Sequence, residues 1–277
     1  MSGYRFCRTD DISLIVRAYN ACRDEPLSDE PALTVEAFKR AARETGLWAS
    51  SCMLAIESDE PVGVMLGCKT VDGNFIHRIA LRPDHQRRGH GRHLLDSLRS
   101  KVAILGPPRL TAEVPAAWDG ACRFFERSGF AAEGRYADFV AEDLAAPPVG
   151  LAARATIEEL LESGAMATAP LSAWECSRDV IRCRSRDLEG LAIASDVQVE
   201  AHVVYRLATE DRPFTEIFSL GASRPELLGV LLGDLQALHP GPIRIARAPT
   251  DAATAEVLGG LGFRRETEYI GYAAKLA

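Results

Sequence analysis

Apolar and polar positions along the chain fall into two periods. YRFCRT reads as a short strand. In ISLIVRAYNAC the apolar residues recur at helical spacing, and Asp10 or Asp11 just ahead can cap that helix. The acidic, proline-containing stretch 24–29 predicts a loop. TVEAFKRAARETG predicts a second helix closing on Gly46. SCMLAIES, PVGVMLGCKT and NFIHRIAL are apolar runs separated only by DE and VDG, which predicts an antiparallel meander. After Pro83 the helical period returns in GRHLLDSLRSKVAIL, where Leu94, Leu95, Leu98 and Val102 share a face that should pack on the sheet. PRLTAEV then predicts a strand, GACRFFERSGF a helix ending at Gly129, and YADFVAEDL a last strand.

The second half repeats this order. GLAIAS and VEAHVVYRLA pair across DVQ, TEIFSL follows EDRP, and then come helix ELLGVLLGDLQAL, strand PIRIARA and helix AATAEVLGGLGF. Phe130 and Phe263 lie 133 residues apart, as do Tyr136 and Tyr269, so the two halves match at one offset. AAPPVG, residues 145–150, reads as the linker. The expected organisation is a first domain over 1–144 and a degenerate copy over 151–277. Each is an α+β unit with a mostly antiparallel, mixed sheet flanked by helices.

Composition narrows the function. A length of 277 residues suits two cores, and 47% hydrophobic with 26% charged residues is ordinary for a folded domain. The net charge of −7 argues against a broad nucleic-acid or anionic-membrane surface. No apolar run approaches the roughly 20 residues of a membrane span, and the start lacks an apolar signal core, so a cytoplasmic protein is expected. The seven cysteines contain no Cys-x-x-Cys pair, which points to buried, reduced thiols.

Against that acidic background, RPDHQRRGHGRHLL at 82–95 stands apart. It follows a strand, turns at Pro83 and opens an amphipathic helix near Gly91. Free amides and the helix dipole at such a start form an anion site. Glycines 89 and 91 let a phosphate approach the main chain, while Arg87, Arg88 and Arg92 add positive charge. The stretch reads as a loop for a phosphorylated ligand, most simply a pyrophosphate. A zinc site from His85, His90 and His93 lacks a convincingly spaced cysteine or carboxylate, and no metal is expected. The second half has only GASRPE at this place.

Gln86-Arg87-Arg88-Gly89-His90-Gly91 resembles the Q/R-x-x-G-x-G/A signature of the GCN5-related N-acetyltransferase (GNAT) superfamily. Leu81-Arg82-Pro83 resembles that family's V-x-P strand end, and ACRFFERSGFAAEGRY its later helix and turn. The resemblance implies an acetyl-CoA-dependent N-acyltransferase, with the active site in the first domain and a small-molecule or peptide amine as acceptor. It implies that Gln86, Arg87, Arg88, Gly89, His90, Gly91 and Arg92 hold the CoA phosphates. The main chain of Ile79, Ala80 and Leu81 would hold the pantetheine arm, with Phe125 beside the cofactor.

Many members of the family carry an acidic base on the strand before the loop. Here strand alternation places Phe75, His77, Ile79 and Leu81 on one face, and His77 is the titratable member of that set. The family's frequent tyrosine acid is Phe125, and its frequent asparagine is Trp118. Tyr136 is the candidate replacement acid, unless the thiolate leaves unaided. Trp118 could wall the acceptor pocket, and Asp24, Glu25, Asp29 and Glu30 could attract a cationic amine. The alternatives are another acyl-CoA, a non-amine acceptor, or a non-catalytic acyl-CoA-binding protein. A monomer or homodimer is expected.

Overall fold

The structure is a computed structural model that describes residues 2–23, 31–71, 73–107, 109–166 and 173–274. The first repeat runs β1 (Ser2–Phe6), α1 (Ile12–Cys22), α2 (Val35–Thr45), β2 (Met53–Glu57), β3 (Glu60–Lys69), β4 (Asn74–Leu81), α3 (His90–Leu105), β5 (Leu110–Pro115), α4 (Asp119–Arg127) and β6 (Phe130–Ala141). The second runs β7 (Ala153–Ala155), α5 (Ile157–Glu162), α6 (Arg178–Cys183), β8 (Glu189–Ala194), β9 (Val199–Arg206), β10 (Thr215–Ala222), α7 (Pro225–Leu238), β11 (Ile243–Pro249), α8 (Ala252–Gly260) and β12 (Arg264–Ala274).

The chain forms two compact units. One comprises Met1–Val114, Asp119–Ala132 and Tyr272–Ala277; the other comprises Pro115–Trp118 and Glu133–Gly271. They do not divide at residues 145–150, where the linker is expected. Pairing explains the difference, because a strand goes with the sheet that satisfies its amides and carbonyls. Strand β6 pairs antiparallel with β11, from Ala141↔Ile243 to Tyr136↔Pro249. The AAPPVG stretch is also fastened. The Asp234 carboxylate on α7 accepts from the amides of Val149, Gly150, Leu151 and Ala152 at 2.7–2.9 Å.

In the first unit β1, β2, β3 and β4 form the antiparallel meander, and β5 joins β4 in parallel. Pro61–Cys68 of β3 is an unbroken run of half-buried to buried residues because helices cover both faces: α1 packs on β3, and α3 packs across β2, β3 and β4. The α3 stripe Leu94, Leu95, Leu98 and Val102 is buried to 3% exposure or less. Burying each such side chain stabilises by about 1.5–3 kcal/mol before chain entropy is counted. Thr34 caps α2, and Gly46 ends it in the left-handed region, as does Gly129 after α4. Asp11 sits at the start of α1 but does not cap it. Its carboxylate is held by Arg5 at 2.8 Å through both oxygens and accepts from the Arg8 amide.

In the second unit period two is visible on both faces. Val203, Tyr205, Ile217 and Ile245 face Leu231, Leu232 and Leu235 of α7, while Val204, Phe218 and Ala246 face α5 and α6. Five cysteines are buried and in no disulfide, as expected, but Cys176 is half-buried and Cys183 exposed. Among the described residues, no helix is long and apolar enough to cross a membrane.

Candidate active site

The site begins where two parallel strands stop pairing. Strand β4 pairs with β5 only over Asn74↔Leu110, Phe75↔Thr111 and Ile76↔Ala112. Strand β4 continues to Leu81, so its edge beyond Ile76 leaves the ladder. The break coincides with a bulge: Ile76 faces Gly67 and Arg78 faces Leu66, so the register shifts at His77. A bulge interrupts alternation and re-aims side chains. Unbroken alternation from Phe75 through Leu81 therefore does not hold, although the Phe75 and His77 rings remain neighbours at 6.4 Å. The His77 carbonyl accepts from Arg78 Nη1 at 2.9 Å.

The second repeat reproduces this geometry without its chemistry. Strand β10 pairs in parallel with β11 over Thr215↔Ile243, Glu216↔Arg244 and Ile217↔Ile245, and Phe218 is then the bulged residue. Where the first repeat has a histidine, the second has a buried phenylalanine stacked by Arg184 at 4.1 Å.

At the end of β4 the chain turns through Pro83–His85 into the loop. Arg87 (φ 59°) and Gly89 (φ 89°) are both left-handed, and Gly89 caps the 16-residue α3 without a side-chain hydrogen bond. Left-handed residues set among others can turn nearby amides toward one point, as in an anion-binding nest. Among the described residues, no acceptor is bonded to the main-chain amides of residues 87–92. The α3 dipole adds the equivalent of about half a positive charge there. Gln86, Arg87, Arg88, Gly89 and Arg92 are solvent-exposed, and Gln86 Nε2 donates to the Leu81 carbonyl at 3.3 Å. An uncapped nest rimmed by arginines fits a pyrophosphate.

Gly91 is needed for a different reason from Gly89. A Cβ at Gly91 would sit 3.1 Å from the Phe124 ring and 3.3 Å from Leu81 Cδ1. His90 is buried, its Nδ1 lying 2.7 Å from the Tyr4 hydroxyl, and the His93 ring stacks on Tyr4 at 3.7 Å. These contacts anchor the loop to β1. Among the described residues, no histidine, cysteine and carboxylate group is arranged to hold a metal ion.

Phe125 is not the ring against the loop; Phe124 is. The α4 face bearing Cys122 and Phe125 is buried, with Phe125 edge-on to Phe130 at 5.2 Å and stacked on Tyr272 at 5.8 Å. Tyr272 is the tyrosine that the fold stacks on Phe125. It is 1% exposed and donates to Glu126 Oε1 at 3.1 Å. Burial first, then Cys122 and Glu126, push its phenol well above the ordinary value, so it packs rather than donates a proton. No local pattern could reveal it, since it lies far along the chain from α4.

Tyr136 belongs to the second unit, where it is buried with Ala173 and Tyr269. Trp118 is half-buried in the turn before α4, its amide donating to the Pro115 carbonyl. The acidic residues Asp24, Glu25, Asp29 and Glu30 lie outside the described residues.

Residues 13–130 match the sequence profile of the Acetyltransferase (GNAT) family. No curated protein matches the sequence. Solved structures similar in fold include a GCN5-related N-acetyltransferase from Sphaerobacter thermophilus (15% identity, 99% of this chain, 96% of that one, TM-score 0.65). A tandem GNAT protein from the clavulanic acid biosynthesis pathway is similar over 100% of this chain and 99% of its own, at 14% identity and TM-score 0.64. A GCN5-related N-acetyltransferase from Anabaena variabilis is similar at 10% identity, over 99% of this chain and 72% of that one, with TM-score 0.66. The loop and the parted strands fall within residues 13–130, the region that matches the GNAT family profile, and the chain shares its fold with the tandem GNAT protein along its whole length.

Proposed function

We propose that this protein is an acetyl-CoA-dependent N-acyltransferase that transfers an acetyl group to a primary amine by direct attack, with its active site in the first repeat. The observation that carries the reading is the run of uncapped amides at 87–92 beside a β4 edge that has left its ladder. Acetyl-CoA would supply the activated acyl group. Gln86, Arg87, Arg88, Gly89, His90, Gly91 and Arg92 would hold its phosphates, with the three arginines adding charge from the solvent side. The main chain of Ile79, Ala80 and Leu81, paired with β3 but past the end of the β5 ladder, would hold the pantetheine arm as a further strand would.

A protonated amine cannot attack, so a base must take its proton. His77 is proposed for that role, at a bulge that re-aims its side chain at the point where the strands part. Phe218 at the equivalent bulge cannot serve, which supports a single active site per chain. Tyr136 is kept as the candidate acid in place of the tyrosine that Phe125 replaces, the alternative being that the thiolate leaves unaided. Trp118 is retained as a candidate wall of the acceptor site.

The test is a thiol-release assay with acetyl-CoA across a panel of small-molecule and peptide amines. Turnover on an amine is expected, with His77→Ala losing about 10²–10⁴-fold in turnover while still binding CoA. Release that is unchanged in His77→Ala refutes the base, and CoA binding without turnover on any amine favours an acyl-CoA-binding protein.

A further inference from the structure

The turn leading into the loop holds an arrangement that the chemistry above does not use. His85 Nε2 lies 3.0 Å from Glu57 Oε2, and its Nδ1 lies 2.9 Å from Asp84 Oδ1. Nδ1 is sealed from solvent and has no hydrogen-bond partner of good geometry, so a charged ring would meet Asp84 as an ion pair. A neutral imidazole has one N–H and one lone pair. With a carboxylate oxygen at each nitrogen, the neutral ring would set a lone pair against an anion at one of them. The imidazolium satisfies both. The His85 side chain is 15% exposed and Glu57 31%, so solvent screens that contact less than a surface pair, while Asp84, 57% exposed, is the more screened partner.

Glu57 ends β2, and His85 immediately precedes Gln86, so this contact ties the turn before the loop to the end of β2. The other groups facing the ring are few. Arg82 pairs with Asp84 at 3.1 Å. The His90 ring on α3 is 6.3 Å away, and it is bonded to Tyr4 of β1, on which His93 stacks. His85 first, opposed by desolvation, and then Arg82 hold the Asp84 carboxyl below the ordinary carboxylate range.

We propose that His85 is a positioning residue which, as the imidazolium, pins the start of the phosphate loop to β2 and makes CoA affinity fall as pH rises. The proposal rests on the CoA-binding reading and deepens it. Loss of the second proton turns one of the two contacts repulsive, the turn loosens, and the nest at 87–92 is held less firmly.

The test is calorimetric titration of the full chain with CoA between about pH 6 and about pH 8.5, the range in which imidazole changes charge. Wild type, His85→Gln and Glu57→Gln are compared. CoA's own phosphate titrates equally in all three, so the ratio of variant to wild-type affinity at each pH isolates the histidine. Thermal midpoints without CoA confirm that the variants are folded. His85→Gln is expected to weaken CoA by about three- to tenfold at the acid end and little at the alkaline end. Glu57→Gln, with the imidazole kept, should show a smaller loss of the same shape. A ratio that stays constant across the range, or no loss in either variant, overturns the proposal while leaving CoA binding intact. Absence of CoA binding by wild type at every pH instead overturns the functional reading, and this inference with it.

Discussion

Gly89→Ala isolates the conformation of the phosphate loop from its packing. Gly89 has φ 89°, and a Cβ built on it meets nothing within 4 Å. The cost of alanine is therefore conformational, about 1–2 kcal/mol for an L residue held in the left-handed region. That cost can appear in two places. If the loop keeps its shape, the free protein loses that stability and the new methyl projects into open space where the ligand is proposed to sit. If the loop relaxes, stability is spared and CoA must restore the nest, losing about 5- to 30-fold in affinity. Calorimetric titration with CoA, read together with the thermal midpoint, measures both. Gly89→Asn provides the comparison, because asparagine tolerates this region better and should recover stability more than affinity. A Gly89→Ala protein that matches wild type in both measurements would refute the claim that the left-handed residue organises a ligand site.

Three further outcomes follow from the same geometry. Calorimetry should find one CoA per chain, because the second repeat has no glycine pair at this place and has Phe218 at its bulge; two equal sites would contradict this. Asp234→Ala should cost about 2–4 kcal/mol in urea unfolding, since four amides lose a charged acceptor; a loss under about 1 kcal/mol would show the AAPPVG stretch is not held by that carboxylate. Burial pushes the His202 imidazole down to about 4. Below its ordinary value near 6.5 the unfolded chain binds a proton that the folded chain refuses. Stability is therefore full above about pH 6.5 and falls as pH drops toward 4, by at most about 3 kcal/mol. His202→Gln should flatten that part of the stability profile, and an unchanged slope would contradict the assignment.

Elements set by local periodicity were legible in the residues alone. The α3 stripe, the meander and the stops at Gly46 and Gly129 each depend on neighbours a few positions away, and each stands as expected. The loop was legible because its glycines, arginines and preceding proline are contiguous. What escaped notice depends on partners far off in the chain. The His77 bulge is a property of register against β3. Tyr272 reaches Phe125 only because the chain's last described strand ends in the first unit. The requirement for glycine at 91 comes from Phe124 on another helix. Asp11 looked like a helix cap, but a two-pronged Arg5 competes more strongly for its carboxylate. The AAPPVG stretch has a linker's composition, yet one buried aspartate on α7 fastens its end.

The central claim is that the main-chain amides of residues 87–92 cradle paired phosphates. A crystal structure of the chain grown with CoA tests it most directly. The account predicts pyrophosphate oxygens about 3 Å from several of those nitrogens, with the pantetheine running along β4 past Ile79. Phosphates bound elsewhere, or those amides closed by protein side chains in the complex, would contradict it.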